Sequence, residues 1–159
     1  RERGNAVTID LAEGDLFASG CDALVNTVNC VGVMGKGIAL AFKAKFPDNF
    51  KQYKAACDRG AVRTGKMFVT DPQDMFGPKL IVNFPTKQHW RDPSRLVWIE
   101  EGLQDLRNLI INSEIKSIAL PALGCSNGGL SFAVVRPKIE AALSGVENCR
   151  IVLYPPQGS

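Results

Sequence analysis

The stretch Ala23-Leu24-Val25-Asn26-Thr27-Val28-Asn29 is followed, two residues later, by Gly32-Val33-Met34-Gly35-Lys36-Gly37. The first part is an apolar run of strand length that ends in polar residues, which is typical of a buried strand. The second part is a glycine-rich loop. It leads into Ile38-Ala39-Leu40-Ala41-Phe42, a helix-forming segment that stops at Pro47. A buried strand, a glycine loop and a helix in this order predict an α/β fold.

The other periodic segments predict further strands that alternate with helices. Strands are expected at 7–10, 67–70, 80–84, 115–120 and 150–154. Helices are expected from Asp48 as N-cap, from Asp92-Pro93 onwards and over 132–143. Pro137 predicts either a kink or a late start of the last helix. This alternation predicts a mostly parallel sheet with helices on both faces.

The composition is that of one ordinary globular domain. Of 159 residues, 45% are hydrophobic and 22% are charged, which argues against a disordered chain. The net charge of +3 permits a polyanionic partner without requiring one. No apolar run is long enough to cross a membrane, and Arg1 to Asn5 lack an apolar signal region. Because the chain opens without Met and stops at 155–159, we expect a single domain cut from a longer protein.

The cysteine and histidine counts restrict the chemistry. Five cysteines at wide spacings, with no C-x-x-C pair, indicate a reducing compartment rather than a disulfide framework. His89 is the only histidine, which argues against a zinc site and against a serine-histidine triad. We therefore expect no metal, and chemistry that relies on Lys, Asp, Glu, backbone N–H groups or the substrate itself.

Two glycine-rich loops follow predicted strands, namely the first loop (residues 32–37) and the second loop (residues 124–129). Ligands bind at the carboxyl ends of strands in open α/β sheets. Glycines let backbone N–H groups approach an anion, and a helix N-terminus favours phosphate. The loops therefore predict a diphosphate pocket, with tight turns as the alternative. Asp15 could bind an exocyclic amine or form an Asx turn, and Asn26 and Asn29 could bind a ligand or satisfy a turn.

Together these segments resemble the macrodomain family of ADP-ribose-binding modules. The match covers nearly the whole chain, and its pieces are Gly14-Asp15-Leu16, 23–29, 32–39 and 119–124. Two further stretches, 83–91 and 124–130, resemble the macrodomains that act as antitoxins by removing ADP-ribose from DNA. The resemblance implies a three-layer α/β/α macrodomain with a mixed, mostly parallel central sheet.

The resemblance also implies a function. The expected activity is that of an ADP-ribosyl glycohydrolase, without a cofactor, that frees ADP-ribose from thymidine in single-stranded DNA and so reverses a DarT-type toxin. Such proteins carry a further C-terminal region that binds the toxin, so residues 1–159 would be the macrodomain alone, in the bacterial cytoplasm. The alternatives are a hydrolase acting on ADP-ribosylated protein glutamates and a binding module without catalysis.

Carried over by position, the resemblance assigns roles to particular residues. Asp15 would contact adenine with Leu16 packed beside it, and Asn29 would lie by the distal ribose. The remaining ligand-binding residues would be Asn26, Gly35, Lys36, Gly37, Ile38, Leu123, Gly124, Cys125, Ser126, Asn127, Gly128 and Gly129.

Lys87 matches the lysine that the DNA-directed group uses for catalysis. A related protein-directed glycohydrolase pairs this lysine with an aspartate, whose place here is Gly128, so no Lys–Asp pair is expected. As a neutral amine Lys87 could attack the anomeric carbon of the distal ribose. As a cation it could stabilise or protonate the departing thymine. His89, Trp90 and Arg91 could contact DNA by stacking a base and meeting a phosphate, or could cap the next helix.

Overall fold

The structure is a computed structural model that describes residues 9–156. These residues form six strands and four helices, with a 3₁₀ turn at Leu16–Ala18: β1 (Ile9–Leu11), β2 (Ala23–Val28), α1 (Gly37–Lys45), α2 (Pro47–Asp58), β3 (Phe68–Thr70), β4 (Leu80–Pro85), α3 (Leu96–Asn112), β5 (Ser117–Pro121), α4 (Phe132–Leu143) and β6 (Arg150–Tyr154). Arg1 to Asn5 and the first two residues of the predicted strand 7–10 lie outside the described residues, as do residues 157–159.

The six strands form one mixed sheet in the order β1-β6-β5-β2-β4-β3. All neighbouring pairs are parallel except β3 and β4. The predicted fold class is therefore confirmed. From β2 the sheet continues to β4 on one side, and from β5 it continues to β6 on the other. The order reverses between β2 and β5, and the loops that leave these two strands meet at the carboxyl edge of the sheet, where open α/β sheets bind ligands. We call the space between these two loops the crevice.

Helices cover both faces of the sheet. On one face α3 and α4 pack against the strands through buried residues such as Leu103, Leu106 and Ile139. On the other face α1 and α2 bury Phe42 and Tyr53. These apolar faces hold the strands in register and so fix where their carboxyl ends meet.

Two predicted helix starts were wrong. α3 begins at Leu96 rather than at Asp92-Pro93, because the preceding residues are engaged in loop contacts: the Asp92 N–H donates to the His89 carbonyl at 3.1 Å. Asp48 lies inside the first turn of α2, with Pro47 as the first helical residue. A proline at this position lacks only an N–H that would have no helical partner.

The last helix runs through Pro137 without a late start, since α4 extends from Phe132 to Leu143. Pro137 therefore removes one hydrogen bond from the helix interior. None of the helices within residues 9–156 is long and apolar enough to cross a membrane.

Candidate active site

The first and second loops face each other across the crevice. Gly37 has φ +57°, and a Cβ atom built on it would lie 3.3 Å from Nδ2 of Asn127. A glycine at position 37 thus adopts the left-handed backbone conformation without strain and lets the two loops approach each other. Gly124 also has positive φ, and its carbonyl accepts a hydrogen bond from the Leu130 N–H at 2.9 Å, which closes the second loop on itself.

Asn29 shapes the first loop from within. Its Oδ1 accepts from the N–H groups of Val31 and Val33 at 3.1 and 3.3 Å, and its Nδ2 donates to the Val33 carbonyl at 2.9 Å. The Tyr53 hydroxyl lies 2.8 Å from the same Oδ1. Burial raises the pKa of Tyr53, so this hydroxyl stays protonated and donates. Asn29 is only 5% exposed. Its side chain satisfies backbone groups of the turn, which is one of the two alternatives that the sequence predicts for it.

Asn26 lies in the interior rather than on the crevice surface. It is fully buried, and its Nδ2 donates to Oδ1 of Asn83 at 3.3 Å and lies 3.8 Å from Sδ of Met34. The direct ligand contact predicted for Asn26 does not fit this placement, because no atom of its side chain is accessible. Asn26 instead supports the first loop from beneath through Met34.

Leu16 and Leu123 are also placed differently from the prediction. Leu123 is fully buried in the core beneath α3 and α4, and Leu16 is buried beside α1. Neither side chain lies open to a ligand. Asp15 is exposed, and its Oδ1 accepts from the Phe17 N–H at 2.9 Å. This is the Asx-type cap of the 3₁₀ turn.

Lys87 lies where the segment after β4 meets the second loop. Its Nζ donates to the carbonyls of Trp90 at 3.0 Å and Asn127 at 3.2 Å. Partial burial and the nearby charge of Lys36 lower the pKa of Lys87, while the charge of Asp92 opposes this. The structure therefore brings together a lysine of perturbed pKa and both glycine loops.

Gly128 has no room for a side chain. A Cβ atom there would clash with Oγ of Ser94 and would lie 2.5 Å from the carbonyl oxygen of Gly124. The Ser94 N–H also donates to the Gly128 carbonyl at 2.9 Å. An aspartate cannot stand here beside Lys87 without a shift of backbone. Ser94 was missed by the sequence reasoning, because no motif links it to a loop thirty residues further along the chain.

The other predicted binding positions lie along the same crevice edge. Ile38 and Cys125 are half-buried, and burial raises the pKa of the Cys125 thiol to about 11. Gly124 and Gly128 are buried backbone positions. The exposed positions are Gly35, Lys36, Gly37, Ser126, Asn127 and Gly129.

His89, Trp90 and Arg91 form a cluster of mutually contacting side chains next to the Lys87 amine. The His89 and Trp90 rings have centroids 5.3 Å apart, and Cζ of Arg91 lies 4.9 Å from the Trp90 ring centroid. The Arg91 N–H donates to Nδ1 of His89 at 3.1 Å. Trp90 is 46% exposed. These residues do not cap α3, because its N-cap is Arg95.

The Macro domain family model matches residues 25–139, and the chain belongs to the macrodomain family. Over 150 residues it is 51% identical to a DNA ADP-ribosyl glycohydrolase of Mycobacterium tuberculosis, covering 94% of this chain and 43% of that protein. It is 50% identical over 143 residues to the Thermus aquaticus protein of the same name, covering 90% of this chain and 40% of that one. The chain thus spans less than half the length of these relatives.

The chain is also similar to solved structures. The macrodomain of Mycobacterium tuberculosis DarG has a TM-score of 0.93 and 50% identity, covering 95% of this chain and 99% of that one. Thermosipho africanus DarTG in complex with ADP-ribose has a TM-score of 0.88 and 32% identity, covering 97% of this chain and 44% of that one. The predicted resemblance to DNA-directed macrodomains is therefore confirmed.

Proposed function

We propose that this chain is an ADP-ribosyl glycohydrolase that removes ADP-ribose from thymidine in single-stranded DNA. The observation that carries the proposal is the Lys87 amine, held by the Trp90 and Asn127 carbonyls between the second loop and an exposed stacked tryptophan. Relatives that are about 50% identical to this chain are named DNA ADP-ribosyl glycohydrolase, and this name supports the same activity.

The crevice suits a nucleotide-sugar with a diphosphate. Among residues 9–156, the backbone N–H groups of Gly35, Lys36, Gly37, Ser126 and Asn127 donate no hydrogen bond. Free N–H groups from two facing loops, one of them at the start of α1, are a binding arrangement for phosphate oxygens. In this pose Asp15 keeps a carboxylate oxygen for an adenine amine, and the distal ribose lies toward Lys87.

Lys87 acts in its protonated form. A lysine ammonium has three N–H groups, of which two are directed to the Trp90 and Asn127 carbonyls, and the third is left for the substrate. As the bond between the anomeric carbon and thymine breaks, its electron pair moves to the base, which receives the proton from Lys87. Water adds to the anomeric carbon and loses one proton, which restores the Lys87 ammonium, so the products are ADP-ribose and unmodified thymidine in the strand.

The deciding experiment is incubation with a thymidine-ADP-ribosylated oligonucleotide. Lys87→Ala is expected to lose turnover by at least about 100-fold, the usual contribution of a general acid, while ADP-ribose still binds by calorimetry. Lys79→Ala is the matched control, because this exposed lysine precedes β4 at the opposite end of the sheet. Full activity of Lys87→Ala would refute the catalytic role.

A substrate panel separates the two alternative functions. Turnover of ADP-ribosyl-glutamate protein esters, with none of the thymidine-linked substrate, would select a protein-directed hydrolase. Binding of ADP-ribose with no turnover of either would select a binding module. Borohydride trapping tests the mechanism: a covalent lysine–ribose adduct in the wild-type protein would contradict the protonated role of Lys87.

Within this proposal, residues 1–159 form one macrodomain and act as the antitoxin against a DarT-type toxin in a bacterial cytoplasm, with toxin binding through the full-length protein. The expected partners are ADP-ribose, ADP-ribosylated single-stranded DNA and that toxin. Co-expression with such a toxin tests it: the wild-type chain should restore growth and Lys87→Ala should not.

A further inference from the structure

A second aromatic–guanidinium pair lies at the start of α3, beyond Trp90 and Arg91. Cζ of Arg95 lies 5.7 Å from the centroid of the Trp98 ring. Arg95 is exposed and Trp98 is half-buried. The pair follows Ser94 directly, and the hydrogen bond from Ser94 to the Gly128 carbonyl fixes this end of α3 against the second loop. It is therefore held next to the crevice.

The same surface carries cations without ionic partners. Within residues 9–156 no carboxylate lies within salt-bridge distance of Arg63, Lys66, Arg91 or Arg95. All four side chains are exposed. Unpaired exposed cations beside aromatic rings are the usual components of single-strand nucleic-acid surfaces.

The loop that carries Arg63 and Lys66 lies between the segment after β4 and α3. Toward α3, the Met67 N–H donates to Oδ2 of Asp105 at 2.7 Å, and a Cβ atom on Gly65 would lie 3.3 Å from Cβ of Glu101. On the other side, the Thr64 backbone lies close enough to the Cys30 thiol to lower its pKa, against the larger raising effect of burial.

Cys30 connects this loop to the segment after β4, which carries Lys87. Its Sγ lies 3.6 Å from the Lys87 carbonyl oxygen, and its N–H donates to the Gln88 carbonyl at 2.9 Å. The acidic groups on this surface are Asp92, Glu101 and Asp105. Asp105 accepts a hydrogen bond from the Met67 N–H, and within residues 9–156 none of these carboxylates lies within salt-bridge distance of the four cations.

We propose that Arg95 and Trp98 form a second nucleotide subsite, which binds a neighbouring nucleotide of the strand whose modified thymidine lies at Lys87. This rests on the proposed function. A guanidinium stacked on an indole keeps one planar face for a base and its N–H edge for a phosphate. Arg95 lies four positions after Arg91, at most about 14 Å along the chain, so the two aromatic–guanidinium pairs can contact the same short strand.

The test compares ADP-ribosyl-thymidine alone with oligonucleotides that extend it on the 5′ side, the 3′ side or both. For wild type, kcat/KM is expected to rise with extension on one side. Arg95→Ala is expected to reduce the ratio of kcat/KM for the extended substrate to that for the mononucleoside by about 5- to 50-fold, mainly through KM. Arg95 donates no side-chain capping bond to α3, so its removal does not undo the helix start.

Salt dependence gives a second readout. Loss of one phosphate contact should reduce the slope of log affinity against log salt concentration by about 0.7 for a single strand. Arg95→Lys should keep this slope but lose the stacking part of the affinity. Arg150→Ala is the matched control, because Arg150 opens β6 at the opposite end of the sheet and is paired only with Asp10 among the described residues. It should leave both readouts unchanged.

An equal loss on the mononucleoside and the extended substrate would reveal a merely structural role and overturn the subsite. An unchanged ratio in Arg95→Ala would overturn it as well. If wild type turned over neither substrate, the proposed function would fail, and the subsite would be judged by affinity for the unmodified single strand. Equal affinity of wild type and Arg95→Ala for that strand would then overturn it.

Discussion

The two loops that flank the crevice are held in place by different means. The first loop is held by side chains, since Asn29 satisfies two backbone N–H groups and itself accepts from Tyr53. The second loop is held by backbone, since Gly124 accepts from Leu130 and Gly128 leaves space for Ser94. The first loop therefore depends on hydrogen-bonding side chains, and the second depends on the absence of a side chain.

The largest stability effect is expected at Gly128. Gly128→Ala places a Cβ atom against Oγ of Ser94 and the Gly124 carbonyl, and overpacking of this kind costs about 1–3 kcal/mol in the free energy of unfolding. Gly35→Ala in the first loop should cost far less, because its nearest new contact is Cγ1 of Val33 at 3.5 Å. Chemical denaturation of the two variants measures the difference, and equal stabilities would remove the distinction between the loops.

Gly35→Glu should weaken ADP-ribose binding without unfolding the protein. Gly35 is exposed and has ordinary backbone, so the side chain can be accommodated, but its carboxylate would repel a diphosphate in the first loop. Two like charges near a protein surface at about 4 Å repel by a few kcal/mol, so we expect a loss of about 10- to 100-fold in affinity. Calorimetry with ADP-ribose checks this, with Gly35→Gln as the uncharged control.

Asn29→Ala should loosen the first loop. It leaves the N–H groups of Val31 and Val33 without their acceptor, whereas the Tyr53 hydroxyl keeps the Asn29 backbone carbonyl at 2.8 Å, and a lost hydrogen bond of this kind costs about 0.5–1.5 kcal/mol. Tyr53→Phe removes only one donor and should cost about 1 kcal/mol. Hydrogen exchange of the Val31 and Val33 amides should rise in Asn29→Ala. Unaltered protection of both amides would contradict the side-chain account of this loop.

The same contrast explains which parts of the molecule were predictable. The sheet, its parallel character and the positions of the two loops follow from apolar runs bounded by glycines, which are local patterns. The interior position of Asn26 was not predictable, because a strand residue faces the core or the crevice according to its neighbours, here Asn83 and Met34. Ser94 and the true start of α3 depend on a contact with Gly128 that only the tertiary structure creates.

Lys87 was predicted from its motif, but its surroundings were not. The composition indicates an ordinary cation of high pKa, whereas the structure partly buries the amine and places Lys36 close enough to lower that pKa. Lys36 belongs to the first loop and Asn127, which accepts from Lys87, to the second. The environment of Lys87 therefore depends on both loops at once, and no single stretch of sequence reveals this.

The smallest expected effects are shifts in pH dependence. If Lys87 acts as an acid it must be protonated, so kcat/KM should fall as pH rises through its lowered pKa. Lys36→Met removes a repelling charge, which raises the pKa of Lys87 and should move this alkaline limb to higher pH. Asp92→Asn removes an attracting charge and should move it to lower pH. Because the two variants shift this alkaline limb in opposite directions, a general loss of stability cannot produce the same pattern. Activity that instead rises with pH would show that the neutral amine of Lys87 is the acting form.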